Sequence, residues 1–223
     1  MKTFVKHIVV AAFYLFVGPA IAAPPQASIP NPIKDVTPYV SSDELTVIGF
    51  FKFSCPACRN YHLQLDYWGK SLPPEFSFQF YPVLEGDATS LVSKDSAMAS
   101  MVFWAVERSG TKLQRAAFAD YAYEVNQDYN TQGQMKAWVD AIKKSEIDGN
   151  KFVSAWNTEE RIWAERVQRQ SHYKPTVTPS LVICGKWMIS PDSTNGDQEI
   201  FMQLANGLVS KCMTEKGIQL RRK

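Results

Sequence analysis

A surplus of charge of either sign is missing from this sequence. Its 24 lysine and arginine residues face 22 acidic ones, leaving a formal charge of +2. Nothing in that balance implies the basic surface of a nucleic-acid binder. Histidine is scarce, with three residues, and cysteine nearly so, with four among 223. After the first 22 residues no stretch is long and apolar enough to cross about 30 Å of hydrocarbon. What is present is an ordinary folding composition, 45% hydrophobic and 21% charged, which argues against disorder. The length suits one large domain or two small ones.

The first 22 residues read as a secretory signal peptide. Lys2 and Lys6 make a short positive start, Ile8 to Val17 is an apolar core, and Ala20 and Ala22 put small side chains at a signal-peptidase site. The apolar core is too short for a membrane anchor. Cleavage is expected after Ala22, and loss of the two lysines brings the charge to about zero. The exported chain keeps Cys55, Cys58, Cys184 and Cys212. An oxidising compartment turns an even cysteine count into a disulfide question, with three pairings open.

Pro24 to Pro38, with five prolines, predicts an extended lead-in, and a weak strand is expected over Asp35 to Val40. Leu45 to Phe53 is the clearest strand, a nearly continuous β-branched and aromatic run of the kind buried on both faces. Arg59 to Lys70 reads as a helix with Tyr61, Leu65 and Trp68 near one face, and Phe76 to Leu84 as a second strand parallel to the first. The pattern is then helical from Thr89 to Gln170, with breaks at Ser109-Gly110, Asn130 to Gly133 and Asp148 to Asn150. Its aromatic residues, among them Phe152, Trp156, Ile162 and Trp163 in one stripe, read as bundle core. Strand character returns at Thr176 to Cys184, Gly185-Lys186 signals a turn, Trp187 to Ser190 returns, and Gln198 to Met213 closes as a helix. This order predicts an α/β fold with a helical block inserted into one sheet domain.

Chemistry concentrates where the first strand meets the first helix, at Cys55-Pro56-Ala57-Cys58. Disulfide exchange proceeds by thiolate attack, and a helix start favours an anion through its unpaired N–H groups and dipole. Pro56 suits the first helical position because it has no N–H to leave unpaired. Two intervening residues let Cys58 fold back onto Cys55, giving an attacking thiol and a resolving one. Other readings stand beside this one. Zinc needs about four ligands, and the exported chain adds only His62 and His172 to its cysteines. Covalent haem attachment needs a histidine directly after the second cysteine, where Arg59 stands. A purely structural disulfide across so short a loop would constrain little of the unfolded chain.

Thr178-Pro179 opens the later strand, where proline stands only at a special position. From the residues alone this bond is either a trans proline at a strand start or a cis one that turns the Thr178 backbone toward an extended substrate.

Cys55-Pro56-Ala57-Cys58 after Val47-Ile48-Gly49-Phe50-Phe51-Lys52-Phe53, the long helical insert with Ala155-Trp156-Asn157, and Thr178-Pro179 before a Gly-Lys hairpin together resemble the DsbA family, thiol:disulfide oxidoreductases of the bacterial periplasm. The resemblance spans nearly all of the exported chain. It implies a thioredoxin fold with an inserted helical domain: residues 23–88 and 172–223 form the thioredoxin-like domain and 89–171 the insert. It also implies a cis bond before Pro179 and substrate binding at Thr178 and Pro179. The implied partners are reduced exported proteins and a membrane quinone-linked reoxidase of the DsbB type. Neither cofactor, metal nor nucleic acid is implied, and a monomer is expected.

The sequence departs from the family pattern at three places. Ala57 stands where DsbA usually has histidine, which removes a cation beside the thiolate. Gly49 stands six positions before the first cysteine, where a buried acid is frequent; its loss works the opposite way. Thr178 replaces a frequent valine and is similar to disulfide isomerases. Cys184, at the end of the strand after Pro179, and Cys212, in the last helix, are expected to pair; two free buried thiols are the alternative. The bond would close a loop of roughly 29 residues and contribute about 3–4 kcal/mol.

The expected activity is therefore periplasmic disulfide donation through Cys55 and Cys58. The alternatives are an isomerase or reductase of the same fold and a redox-inert peptide-binding chaperone. No dimerisation domain of the DsbC type is visible, which favours donation.

Overall fold

The strand that anchors the molecule is the longest of those buried from end to end. In the computed structural model, which describes residues 33–85, 94–128 and 135–218, β2 (Thr46–Phe51) is buried along its whole length. It lies inside a sheet with β1 (Lys34–Asp35), β3 (Ser77–Pro82), β4 (Ser180–Ile183) and β5 (Trp187–Ile189), in the order β1-β5-β4-β2-β3. β2 pairs parallel with β3, Val47 opposite Phe78, and antiparallel with β4, Gly49 opposite Leu181. The parallel pair is bridged by α1 (Pro56–Ser71), the crossover such a pair requires. Gly49 leaves room for a packed ring, since a Cβ there would lie 3.2 Å from Phe78 Cζ.

Side chains alternate across the sheet as the strand period demands. Val182 of β4 points into one apolar cluster, with Ile48, Phe50 and Tyr81; Leu181 and Ile183 point into the other, with Val47. The second cluster is covered by α6 (Gln198–Glu215) through Phe201, Ala205 and Val209, and by Tyr61 and Leu65 of α1. The first is covered by helices inserted between β3 and β4: α2 (Lys94–Ser109), α3 (Lys112–Gln127), α4 (Met135–Lys144) and α5 (Gly149–Tyr173). α2 packs along α5, and α3 against α4. The α/β order with a helical insert is thus the one the sequence predicts.

Several bounds differ. The expected strand over Asp35 to Val40 reduces to the two-residue β1, and a 3-10 turn over Ser41–Leu45 precedes β2. The first helix begins at Pro56, three residues before the expected Arg59. β4 begins only after Pro179. The hairpin turn is centred on Cys184 and Gly185, both at positive φ (56° and 61°), with Lys186 N–H closing on Ile183 O at 3.0 Å. That is a two-residue turn of the type that matches strand twist, one residue earlier than Gly185-Lys186. The expected signal peptide and the break at Asn130 to Gly133 lie outside the described residues.

The insert is fastened to the sheet domain by charge. Asp43, fully buried, accepts from the guanidinium of Arg169, from Tyr173 Oη and from Tyr39 N–H. Within the insert, buried Glu159 of α5 holds Arg108 of α2 at 2.6 Å and Arg166 at 3.2 Å.

Candidate active site

β2 ends at Phe51, and the chain turns through Lys52, Phe53 and Ser54 into Cys55, the N-cap of α1, with φ −89° and ψ 115°. An N-cap side chain normally offers an oxygen to the unpaired N–H groups of the first turn. Here the acceptor is sulfur: Cys58 N–H donates to Cys55 Sγ at 3.3 Å. Pro56 occupies the first helical turn, where its missing N–H costs nothing. The loop is closed by Cys55 N–H on Lys52 O at 3.2 Å and Arg59 N–H on Cys55 O at 3.3 Å.

The two thiols are free and unequal. Cys55 is partly exposed, whereas Cys58 is 2% exposed and packed in the first apolar cluster. The Cys58 thiol, helped by Thr178 and by the N–H groups of Cys58 and Ala57, lowers Cys55 from 9.0 to about 5, against the opposing effect of burial. Cys58 moves far upward, because its proton is held by the Cys55 thiolate and its site is desolvated. One proton is shared by two sulfurs, and it rests on the buried one.

From the other side of the fold, Thr178 and Pro179 meet this pair. The Thr178–Pro179 peptide is cis, and Cys55 Sγ lies 3.3 Å from Thr178 O, a hydrogen bond that forms when the Cys55 thiol is protonated. Ala57 lies within the first turn and contributes only its backbone to Cys55. Cys184 and Cys212 stand at the opposite end of β4, joined by a disulfide. The structure thus brings Cys55, Pro56, Ala57, Cys58, Thr178 and Pro179 together and sets Cys184 and Cys212 apart.

Two residues at this site escape a reading of the sequence. Gln127, at the last position of α3, donates through Nε2 to Phe53 O and to Cys55 O, both at 3.2 Å. Tyr123, one turn earlier, has its ring 5.0 Å from that of Phe53. Neither carries a local signal, since both come from the insert. His62, which from sequence alone could complete a Cys/Cys/His corner, turns its Nδ1 toward Tyr123 Oη at 3.2 Å and stacks on Phe80 at 4.2 Å.

No family model matches this chain, and no curated protein matches it by sequence. Solved structures do match. The crystal structure of Pseudomonas aeruginosa DsbA superimposes with a TM-score of 0.68 at 19% identity, covering 84% of this chain and 95% of that one. NmDsbA1 of N. meningitidis gives 0.65 at 15%, with 84% and 95% covered. SrgA of Salmonella enterica serovar Typhimurium gives 0.61 at 14%, with 81% and 98% covered. Across these comparisons the chain has the fold of the DsbA thiol:disulfide oxidoreductases, a thioredoxin fold interrupted by a helical insertion.

Proposed function

We propose that this protein is a thiol:disulfide oxidoreductase that donates the Cys55–Cys58 disulfide to reduced proteins in the periplasm. The carrying observation is the asymmetry of the pair: a partly exposed thiol lowered to about 5 beside a thiol that is 2% exposed. A substrate thiolate attacks Cys55 Sγ, the Cys55–Cys58 bond breaks, and its electron pair goes to Cys58, which takes a proton. A second substrate thiolate then attacks the substrate sulfur of the mixed disulfide. The substrate leaves oxidised, and Cys55 departs as a thiolate already stabilised at the helix start. A membrane quinone-linked partner of the DsbB type would return the pair to the disulfide. Thr178 and Pro179 would bind the substrate backbone beside Cys55, and Cys184–Cys212 would serve structure alone. The protein would act as a monomer without cofactor.

Thr178 favours a second reading, an isomerase or reductase kept reduced by a membrane donor. Equilibration in glutathione buffers, followed by tryptophan fluorescence, separates the two. Donation requires a potential well above about −270 mV, the value of thioredoxin, and a value near that of thioredoxin overturns it. Cys55→Ser must abolish exchange; if it leaves function intact, the protein is a redox-inert peptide binder. Mass analysis of the exported protein tests the leader, with cleavage expected after Ala22.

A further inference from the structure

The exchange just described leaves one problem inside the protein. Cys58 must gain a proton when the disulfide opens and lose one when it re-forms, yet it is 2% exposed, in the buried cluster that also holds Phe51, Phe53 and Tyr123. Water does not reach such a sulfur freely, so protein groups must carry the proton.

A row of titratable groups leads away from it. Cys58, His62, Asp66 and Lys70 recur every fourth residue along α1, the spacing that stacks side chains on one helix face. Asp66 and Lys70 pair at the outer end, with side chains 35% and 41% exposed. His62 lies between them and the dithiol. Its ring is held flat on Phe80, 13° from parallel, and edge-on to Phe51, while Nδ1 meets Tyr123 Oη at 3.2 Å. Tyr123 and Cys58, each 2% exposed, share one buried cluster; burial first, then the charges of Cys58 and Cys55, raises the Tyr123 hydroxyl.

We propose that His62 and Tyr123 form a proton conduit between solvent and Cys58. This rests on the oxidoreductase reading above. When substrate thiolate attacks Cys55, the new bond joins substrate sulfur to Cys55 Sγ, and the breaking bond leaves its electrons on Cys58. Tyr123 passes its hydroxyl proton to Cys58 and receives the Nδ1 proton of His62, while Nε2 of His62 takes one from water. One proton moves from solvent to Cys58, and the conduit ends neutral. The direction reverses when the Cys55–Cys58 bond forms again.

The surroundings suit a neutral carrier. Burial pushes His62 down to about 4, with Asp66 pulling up and Lys70 pushing further down. From α2, Glu107 is raised by burial and next by the charge of Asp66, against Arg115, which pairs with it at 3.4 Å. β2 and β3 present the rings of Phe51 and Phe80. At neutral pH the imidazole is thus uncharged and can accept at one nitrogen while donating at the other.

The test uses the full exported protein in its disulfide form, reduced by dithiothreitol in a stopped-flow instrument with tryptophan fluorescence, in H2O and D2O. His62→Phe keeps a ring against Phe80, and Tyr123→Phe removes one oxygen. Both variants are expected to react at least tenfold more slowly than wild type at pH 7 and to lose its solvent isotope effect. Their Cys55 thiolate titration, read by absorbance at 240 nm, stays in place. Wild-type rates with the wild-type isotope effect, or a slowing that merely follows a shifted Cys55 titration, overturn the conduit. A wild-type protein that exchanges no disulfides at all overturns the oxidoreductase reading instead.

Discussion

Gln127 holds the carbonyl of Cys55 at 3.2 Å, from a helix that the chain reaches only after leaving the sheet domain. The same amide nitrogen also binds Phe53 O. The helical insert therefore does more than cover an apolar face, because it fixes the backbone on both sides of Ser54, where the Cys55 thiol is placed. A neutral amide suits this task, since it donates without adding charge beside a thiolate.

Gln127→Ala should cost about 1–2 kcal/mol, the worth of its hydrogen bonds to two carbonyls. Urea unfolding measures that cost. Disulfide exchange should slow as well, because the Cys55 loop loses its clamp. An unchanged midpoint with an unchanged rate would show that the loop holds its shape unaided.

The stability of the reduced form relative to the disulfide form should depend on pH in a set direction. Cys55 is lowered from 9.0 to about 5. Its contribution is therefore complete above pH 9, declines as pH falls, and is gone below about 5. Cys58 is raised, so above pH 9 the unfolded chain loses a proton that the folded one keeps, and the advantage erodes. Neither group titrates in the disulfide form. The difference between the two forms should thus grow from pH 5 to pH 9 and shrink beyond it. Paired urea titrations at pH 5, 7 and 8.5 measure this, and a difference that falls over that range contradicts a stabilised Cys55 thiolate.

Much of the site is legible in the sequence because its determinants are contiguous. Val47 to Phe51 announce a buried strand, and Pro56 between two cysteines announces the helix start. What is not legible depends on distant partners. Nothing local in the sequence marks Asp43 for burial, yet it is fully buried because Arg169, 126 residues away, pairs with it. Gln127 and Tyr123 look like ordinary helix residues until the insert folds back. At the hairpin, Gly185 is conspicuous and Cys184 is not, although both take the left-handed conformation.

Asp43→Ala should destabilise the protein by about 3–5 kcal/mol, since it leaves the Arg169 guanidinium without its buried partner. Chemical denaturation provides the measurement. A loss below 1 kcal/mol would mean that water replaces the carboxylate at little cost.

Joint replacement of Cys184 and Cys212 by alanine should remove about 3–4 kcal/mol through the unfolded chain's regained freedom, while exchange at Cys55 continues. Mass analysis of thiol-blocked, unreduced protein should find these two cysteines bonded. Recovery of both as free thiols, or loss of exchange in the double variant, would contradict their separation from the chemistry.

β4 carries sulfur chemistry at both ends. Thr178 and Pro179 face Cys55 at one end, and Cys184 begins the turn at the other. Five residues of extended chain put about 16 Å between them, and the sheet lies across the way. A thiol pair proposed to exchange disulfides with other proteins is thus separated by the length of the strand from the Cys184–Cys212 disulfide. The strand would act as an insulator: repeated cycles of the proposed oxidation and reduction would leave the protein's own staple unscrambled, and the catalyst would be protected from being its own substrate.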